Sequence, residues 1–241
     1  MAGHSAWKNI KHRKAAVDAK RGKIWSKLAR AIIVAAKQGG GDQRFNATLR
    51  LAVDEAKAAN MPRDTIEKAI KKGSGETDGE QFEAVRYEGY APGGVAVIAE
   101  CLTSNVNRTA PEIRMAFDKA GGNLGVPGSV AFSFVQKGVL LVPGITTGEE
   151  RVMEIALEAG ADDVAPADGS WQVTCPPAQL SAVRDAFEGQ GLVAEESQIM
   201  WLPLTTVAVA ADDAQKVTRL VEVLEEHDDV QKVYTNADMP E

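Results

Sequence analysis

The octapeptide GSGETDGE, residues 73–80, separates two hydrophobic patterns that call for different architectures. Before it, apolar residues recur every three to four positions, the spacing of one helix face. Beyond it, short strand-like runs alternate with helical ones, the mark of a two-layer sheet-and-helix domain. The octapeptide itself is polar and Gly-rich, a composition that reads as a flexible linker.

In the first part, Ile24, Leu28 and Ile32 recur at i, i+4 and i+8, with Val17 and Ala35 on the same side. Gly39-Gly40-Gly41 ends that helix. Gly22 interrupts it, at about 1 kcal/mol relative to Ala, and marks off a short first helix or arm. A second helix is predicted over 46–59, with Asn46 as N-cap and Leu49, Val53 and Ala56 inward. A third starts at Asp64, with Glu67 as its capping-box partner, Ile66, Ala69 and Ile70 inward, and Gly73 as C-cap.

In the second part, strands are predicted at Glu83–Tyr90 and Val95–Thr103, then a helix capped by Thr109 with Ile113 and Phe117 inward. GGNLGVPG, 121–128, reads as a tight turn. SVAFSFV and GVLLV, a helix over 148–159, SWQVTC, a helix over 179–188 and LVAEESQIMWL follow. A last βαβ-like piece has a strand near 205–210, a helix over 213–226 and a strand over 230–235. The expected fold class is α+β.

Charge divides the chain at the same place. Residues 1–72 hold 17 Lys or Arg against 6 Asp or Glu, a surplus of 11 positive charges. Residues 73–241 hold 10 against 28, a deficit of 18. Such asymmetry points to a polyanionic partner for the basic part. At 100° per residue, Lys20, Lys23, Lys27, Arg30 and Lys37, with Arg13, fall within about a third of the helix circumference, away from the Ile/Leu side. KNIKHRK, 8–14, adds an arm carrying Lys8, Lys11, His12, Arg13 and Lys14. Several cations on one face release counterions when they dock on phosphates. Trp7 suits either stacking on a base or anchoring the arm; Trp25 suits packing. Helix two, the NMPRD turn and helix three also form a weak helix-turn-helix pattern, which would turn Arg63 and Thr65 toward base edges.

Enzymatic signatures are missing. His4, His12 and His227 have no partners at metal-ligand spacing, and no GxSxG, HExxH or P-loop pattern occurs. EEHDD, 225–229, reads as a solvated helix exit. Cys101 and Cys175 lie far apart in apolar runs, as buried thiols of a reducing, cytoplasmic compartment would. No signal peptide is read at Met1, and no apolar run reaches the roughly 20 residues that span a bilayer.

AGHSAWKNIKHRKAAVDAKRGKIWSKLAR, NMPRDTIEKAIKKG and YEGYAPGGVAVIAECLTSNVNRTAPEIRMAFDKAGGNLGVPGSVAF, with VYTNAD near the end, closely resemble the YebC/PmpR family over essentially the whole chain. The resemblance implies an N-terminal three-helix bundle, 1–76, and two small α+β (ferredoxin-like) sandwiches, one inserted in the other: 80–135 plus 204–241, and 136–203. It implies a cytoplasmic DNA-binding transcriptional regulator, or alternatively a translation factor on ribosomal RNA. No metal or organic cofactor is implied, and no membrane partner is expected. The charge split suggests that the acidic domains either supply contacts to protein partners or restrain non-specific nucleic-acid binding. The basic segment matches at Lys8, Lys11, His12, Arg13, Lys14, Lys20, Arg21, Lys23, Lys27 and Arg30. Arg108 is also retained, just before an expected helix start. Ala6 and Val106 stand where the family commonly has Lys and Arg, and Ala31 replaces a frequent Glu.

Overall fold

In the computed structural model of the chain, residues 21–75, 81–144 and 147–240 are described. They fall into two units, one formed by residues within 21–131 with 209–235 and 240, the other by residues within 132–208 with 236–239.

The first unit begins with three helices, α1 (Arg21–Gly39), α2 (Ala47–Ala58) and α3 (Arg63–Gly73). They close on a core of Ile32, Ala35, Leu49, Val53, Ala56, Met61, Ile66 and Ala69. Asn46 controls the corner between α1 and α2. Its side-chain oxygen accepts the Leu49 N–H at 3.0 Å, and its amide donates to the carbonyls of Ala35 and Gly40, each at 2.8 Å. One side chain thereby caps α2 and satisfies carbonyls at the end of α1. The α3 start differs from expectation. Pro62 occupies the cap position without a side-chain bond, and Glu67 pairs with Arg63 at 2.8 Å instead of closing a capping box. Gly73 is the last helical residue rather than a left-handed cap. A Cβ there would meet the Ile33 carbonyl and lie 2.7 Å from Ala36 Cβ, so glycine lets α3 approach α1.

The same unit carries a four-stranded antiparallel sheet: β1 (Glu83–Ala91), β2 (Val95–Thr103), β3 (Asn123–Leu124) and β9 (Val230–Thr235), in the order β3-β1-β2-β9. Tyr87 lies opposite Ala99, and Ile98 opposite Tyr234. Helices α4 (Val106–Lys119) and α7 (Ala211–Glu226) contact each other and the sheet. α4 begins one turn before the expected Thr109. Asn105 is its cap, accepting the Arg108 N–H at 3.2 Å, because the Thr109 hydroxyl is buried and engaged elsewhere. Residues 121–128 hold more than a turn. They contain β3, and Gly122 lies so close to the Tyr90 carbonyl that no Cβ fits.

The second unit is β4 (Phe134–Pro143), α5 (Glu149–Glu158), β5 (Asp163–Ala167), β6 (Ser170–Cys175), α6 (Leu180–Gly189) and β7 (Glu196–Pro203). Its sheet has the order β5-β6-β4-β7 with antiparallel pairs, the connectivity of a ferredoxin-like βαββαβ sandwich. Val139, Val152, Ile155, Val173, Val183 and Phe187 are buried there. The first unit reaches a two-layer form by a different route, since its β1 and β2 are a direct hairpin. The strand expected near 205–210 shrinks to β8 (Val207–Ala208), which pairs in parallel with β10 (Ala237–Asp238) rather than with β9. SVAFSFV is a strand only from Phe134 on, with a 3-10 turn at Ala131–Ser133 before it. The fold class is α+β throughout.

Candidate nucleic-acid interface

Of the twelve candidate residues, Lys8, Lys11, His12, Arg13, Lys14 and Lys20 lie outside the described residues, as does Trp7. Arg21 opens α1, and its side chain is likewise outside the description. Lys23, Lys27, Arg30 and Lys37 lie on α1, and Arg108 lies in the first turn of α4.

Helical spacing brings Lys23, Lys27 and Arg30 to one face, as expected, and that face meets the C-terminal end of α7. Lys23 Nζ donates to the Glu226 carbonyl at 3.2 Å and lies 3.5 Å from Asp228 Oδ1. Lys27 Nζ donates to the Glu225 carbonyl at 2.6 Å. Arg30 Nη1 donates to the Asp228 carbonyl at 2.5 Å and to Asp229 Oδ1 at 2.9 Å. A helix leaves its last carbonyls without intrahelical partners and carries partial negative charge there, so cations are favoured at that end. Here another helix supplies them. Burial lowers the Lys27 pKa, and the attraction of Glu225 and Asp228 offsets part of that loss. The Arg30 guanidinium also stands 5.4 Å from the centroid of the Phe82 ring.

Asp229 joins this contact to Arg108. Its Oδ2 accepts from Arg108 Nη2 at 2.6 Å, from the Thr109 hydroxyl at 2.7 Å and from the Thr103 hydroxyl at 3.2 Å. Burial pushes the Asp229 carboxyl pKa up, but the hydrogen bonds from Thr109, Arg108 and Thr103 and the Arg108 charge outweigh it, and the net shift is downward. Its backbone N–H donates to His227 Nδ1 at 3.1 Å, while His227 Nε2 lies 2.8 Å from Glu112 Oε2. EEHDD is therefore no plain solvated exit: Asp229 is only 1% exposed. Spacing alone could not find this acceptor set, because its donors lie 120 to 203 positions away. The one local signal was an Asp directly before the apolar start of β9.

The other candidates stand apart. Lys37 is exposed, with Nζ 3.1 Å from Gln81 Oε1. Trp25 is packed, and its indole N–H donates to the Ala59 carbonyl at 3.0 Å. In the helix-turn-helix pattern, Arg63 is exposed and paired with Glu67, while Thr65 is half-buried.

The Gly-rich segment has its own internal anion. Glu88, 1% exposed, accepts the N–H groups of Val130 and Ala131 on Oε2 at 3.0 and 2.9 Å, and Arg86 Nε on Oε1 at 2.9 Å. Burial pushes its pKa up, but the N–H groups of Val130, Gly128 and Ala131, with Arg86, hold it down overall. N–H groups that could have cradled a phosphate are thus already engaged by a carboxylate, and no local motif marks Glu88 for that part.

Both cysteines are free and buried; burial, with a smaller push from Asp229, takes Cys101 up to about 12, and burial takes Cys175 up to about 11. Among the described residues, no cluster of three or more His, Cys, Asp or Glu could hold a metal ion, and no helix is long and apolar enough to cross a membrane.

Residues 5–76 match the model of the TACO1/YebC protein N-terminal domain, and residues 82–237 match that of the TACO1/YebC second and third domain. A protein of Methylococcus capsulatus named "probable transcriptional regulatory protein" is 56% identical over 242 residues, covering 100% of this chain and 97% of its own length. Proteins of the same name from Cupriavidus necator and Rhodopirellula baltica are 54% and 53% identical, each covering at least 98% of both chains. The crystal structure of a conserved hypothetical protein from Aquifex aeolicus matches with a TM-score of 0.85 at 50% identity, over 93% of each chain.

Proposed function

The chain belongs to the TACO1/YebC family, and on that premise we propose that it is a nucleic-acid-binding regulator of gene expression, specifically a DNA-binding transcriptional regulator of the cytoplasm. The observation that carries this reading is the surplus of 11 positive charges in residues 1–72, in a chain whose full-length relatives are named as transcriptional regulators. The basic segment docks on phosphates; the acidic remainder offers surfaces to protein partners and carries out no chemistry of its own. Phosphate contacts position a protein without encoding sequence, so target choice rests on further base or shape contacts.

The test is crosslinking in cells, with sequencing of both the DNA and the RNA recovered. Its control is a variant with Lys8, Lys11, Arg13 and Lys14 reversed to Glu, which leaves the ion pairs between α1 and α7 in place. Discrete genomic sites lost in the variant are the expected result. Recovery of one region of ribosomal RNA instead would establish the translation-factor reading. Recovery of neither nucleic acid would remove both.

A further inference from the structure

We infer that the C-terminal end of α7 is an internal phosphate mimic, which covers the Lys23–Lys27–Arg30 face of α1 and competes with nucleic acid for it. The inference rests on the nucleic-acid reading above and adds how that site is regulated.

The acceptors on α7 reproduce what a phosphate backbone offers. The carbonyls of Glu225, Glu226 and Asp228, with the carboxylates of Asp228 and Asp229, form a short row of oxygens opposite three cations spaced along one helix face. A polyanion approaching α1 requires the same three donors. Both cannot occupy the face at once, because the oxygens at the end of α7 already stand 2.5 to 3.5 Å from the Lys23, Lys27 and Arg30 nitrogens, where the phosphate oxygens would have to sit.

The contact is also built so that it can open. The Lys23 and Asp228 side chains are 50% and 68% exposed, and exposed pairs of this kind are held weakly. Asp229 is the one deeply buried charge on the α7 side, and it does not depend on Arg30 alone. Arg108, Thr103 and Thr109 keep three hydrogen bonds on its other oxygen. Arg30 can therefore leave without orphaning a buried carboxylate, which is the usual penalty for breaking such a pair. Once released, the negative end of α7 is repelled by the arriving phosphates, so opening and binding favour each other.

The experiment is a double-mutant cycle on the full chain, using Asp228→Asn, Lys23→Gln and both together. The readout is fluorescence anisotropy with a mixed-sequence duplex DNA and, in a second arm, a stem-loop RNA at the same salt. Because both side chains are largely exposed, the variants keep the fold, and circular dichroism verifies it. Asp228→Asn is expected to tighten binding by about two- to fivefold, the scale of an exposed pair. That gain is expected to vanish in the Lys23→Gln background. The arm with the larger gain identifies which nucleic acid the face serves. An equal gain in both backgrounds would mean only a general loss of negative charge, and would overturn the competition. So would unchanged affinity of Asp228→Asn with both probes still bound. If the unmodified chain binds neither probe, the nucleic-acid reading itself falls and takes the competition with it.

Discussion

Arg30 and Asp229, 199 positions apart, meet with Nη1 of the guanidinium 2.9 Å from Oδ1 of a carboxylate that is 2% exposed at its side chain. The pair connects the basic helix to the loop between α7 and β9. On the other oxygen, Arg108 connects the same carboxylate to α4. Two of the candidate nucleic-acid-binding residues therefore converge on one internal anion.

Removing that anion should be costly. Asp229→Ala leaves Arg30 and Arg108 facing each other without a carboxylate, and Thr103 and Thr109 without their shared acceptor. The expected loss is about 1–3 kcal/mol of unfolding free energy, because two buried hydroxyls lose their acceptor while the arginines left behind are 22% and 49% exposed and are reached by water. Urea titration at neutral pH measures it. A loss below about 1 kcal/mol, the range of an exposed pair, would show that solvent replaces the carboxylate readily.

Acid should weaken the fold through Asp229 and Glu88. Both have folded-state pKa values below the ordinary range. A depressed carboxylate contributes stability that is complete above its unfolded pKa, about 3.9 for Asp and 4.3 for Glu. That contribution is lost as pH falls through the folded value. Urea midpoints should therefore hold steady down to about pH 5 and fall below it. Glu88→Gln should flatten part of that fall, and at neutral pH it should cost about 1–3 kcal/mol by turning an amide N–H₂ toward existing donors.

Two glycines should respond in opposite directions to alanine. At Gly73 a Cβ collides with the Ile33 carbonyl and Ala36, so Gly73→Ala is expected to destabilise by about 1–3 kcal/mol, as overpacking does. At Gly22 none of the described residues lies within 4 Å of the added Cβ, so Gly22→Ala is expected to gain up to about 1 kcal/mol from helix propensity. Thermal melts of the two variants against the unmodified chain decide both signs.

The thiols should be inert in the folded state. Burial takes Cys101 up to about 12 and Cys175 up to about 11, so thiolate is scarce at neutral pH and reagent access is blocked. A disulfide reagent should modify neither on mixing, and both on adding denaturant. Fast modification of one native thiol would expose an opening motion around it.

Features that depend on near neighbours are legible along the chain. Helix periodicity found α1, α2 and α3, and Asn46 identified the start of α2, because caps and apolar faces act over three to four residues. Alternation and length found β1, β2, β9 and the α+β class. The same spacing put Lys23, Lys27 and Arg30 on one face correctly. What that face touches was decided by tertiary structure alone. The acceptors come from residues 225–229, brought back by β9 pairing with β2, and no pattern near residue 30 encodes them. Thr109 tells the same story at smaller scale. Its local context suits a helix cap, yet its hydroxyl is drawn to Asp229, and Asn105 caps the helix instead. Short-range geometry is written in neighbouring residues, whereas the partner of a buried charge is chosen by whatever the fold brings within about 3 Å of it.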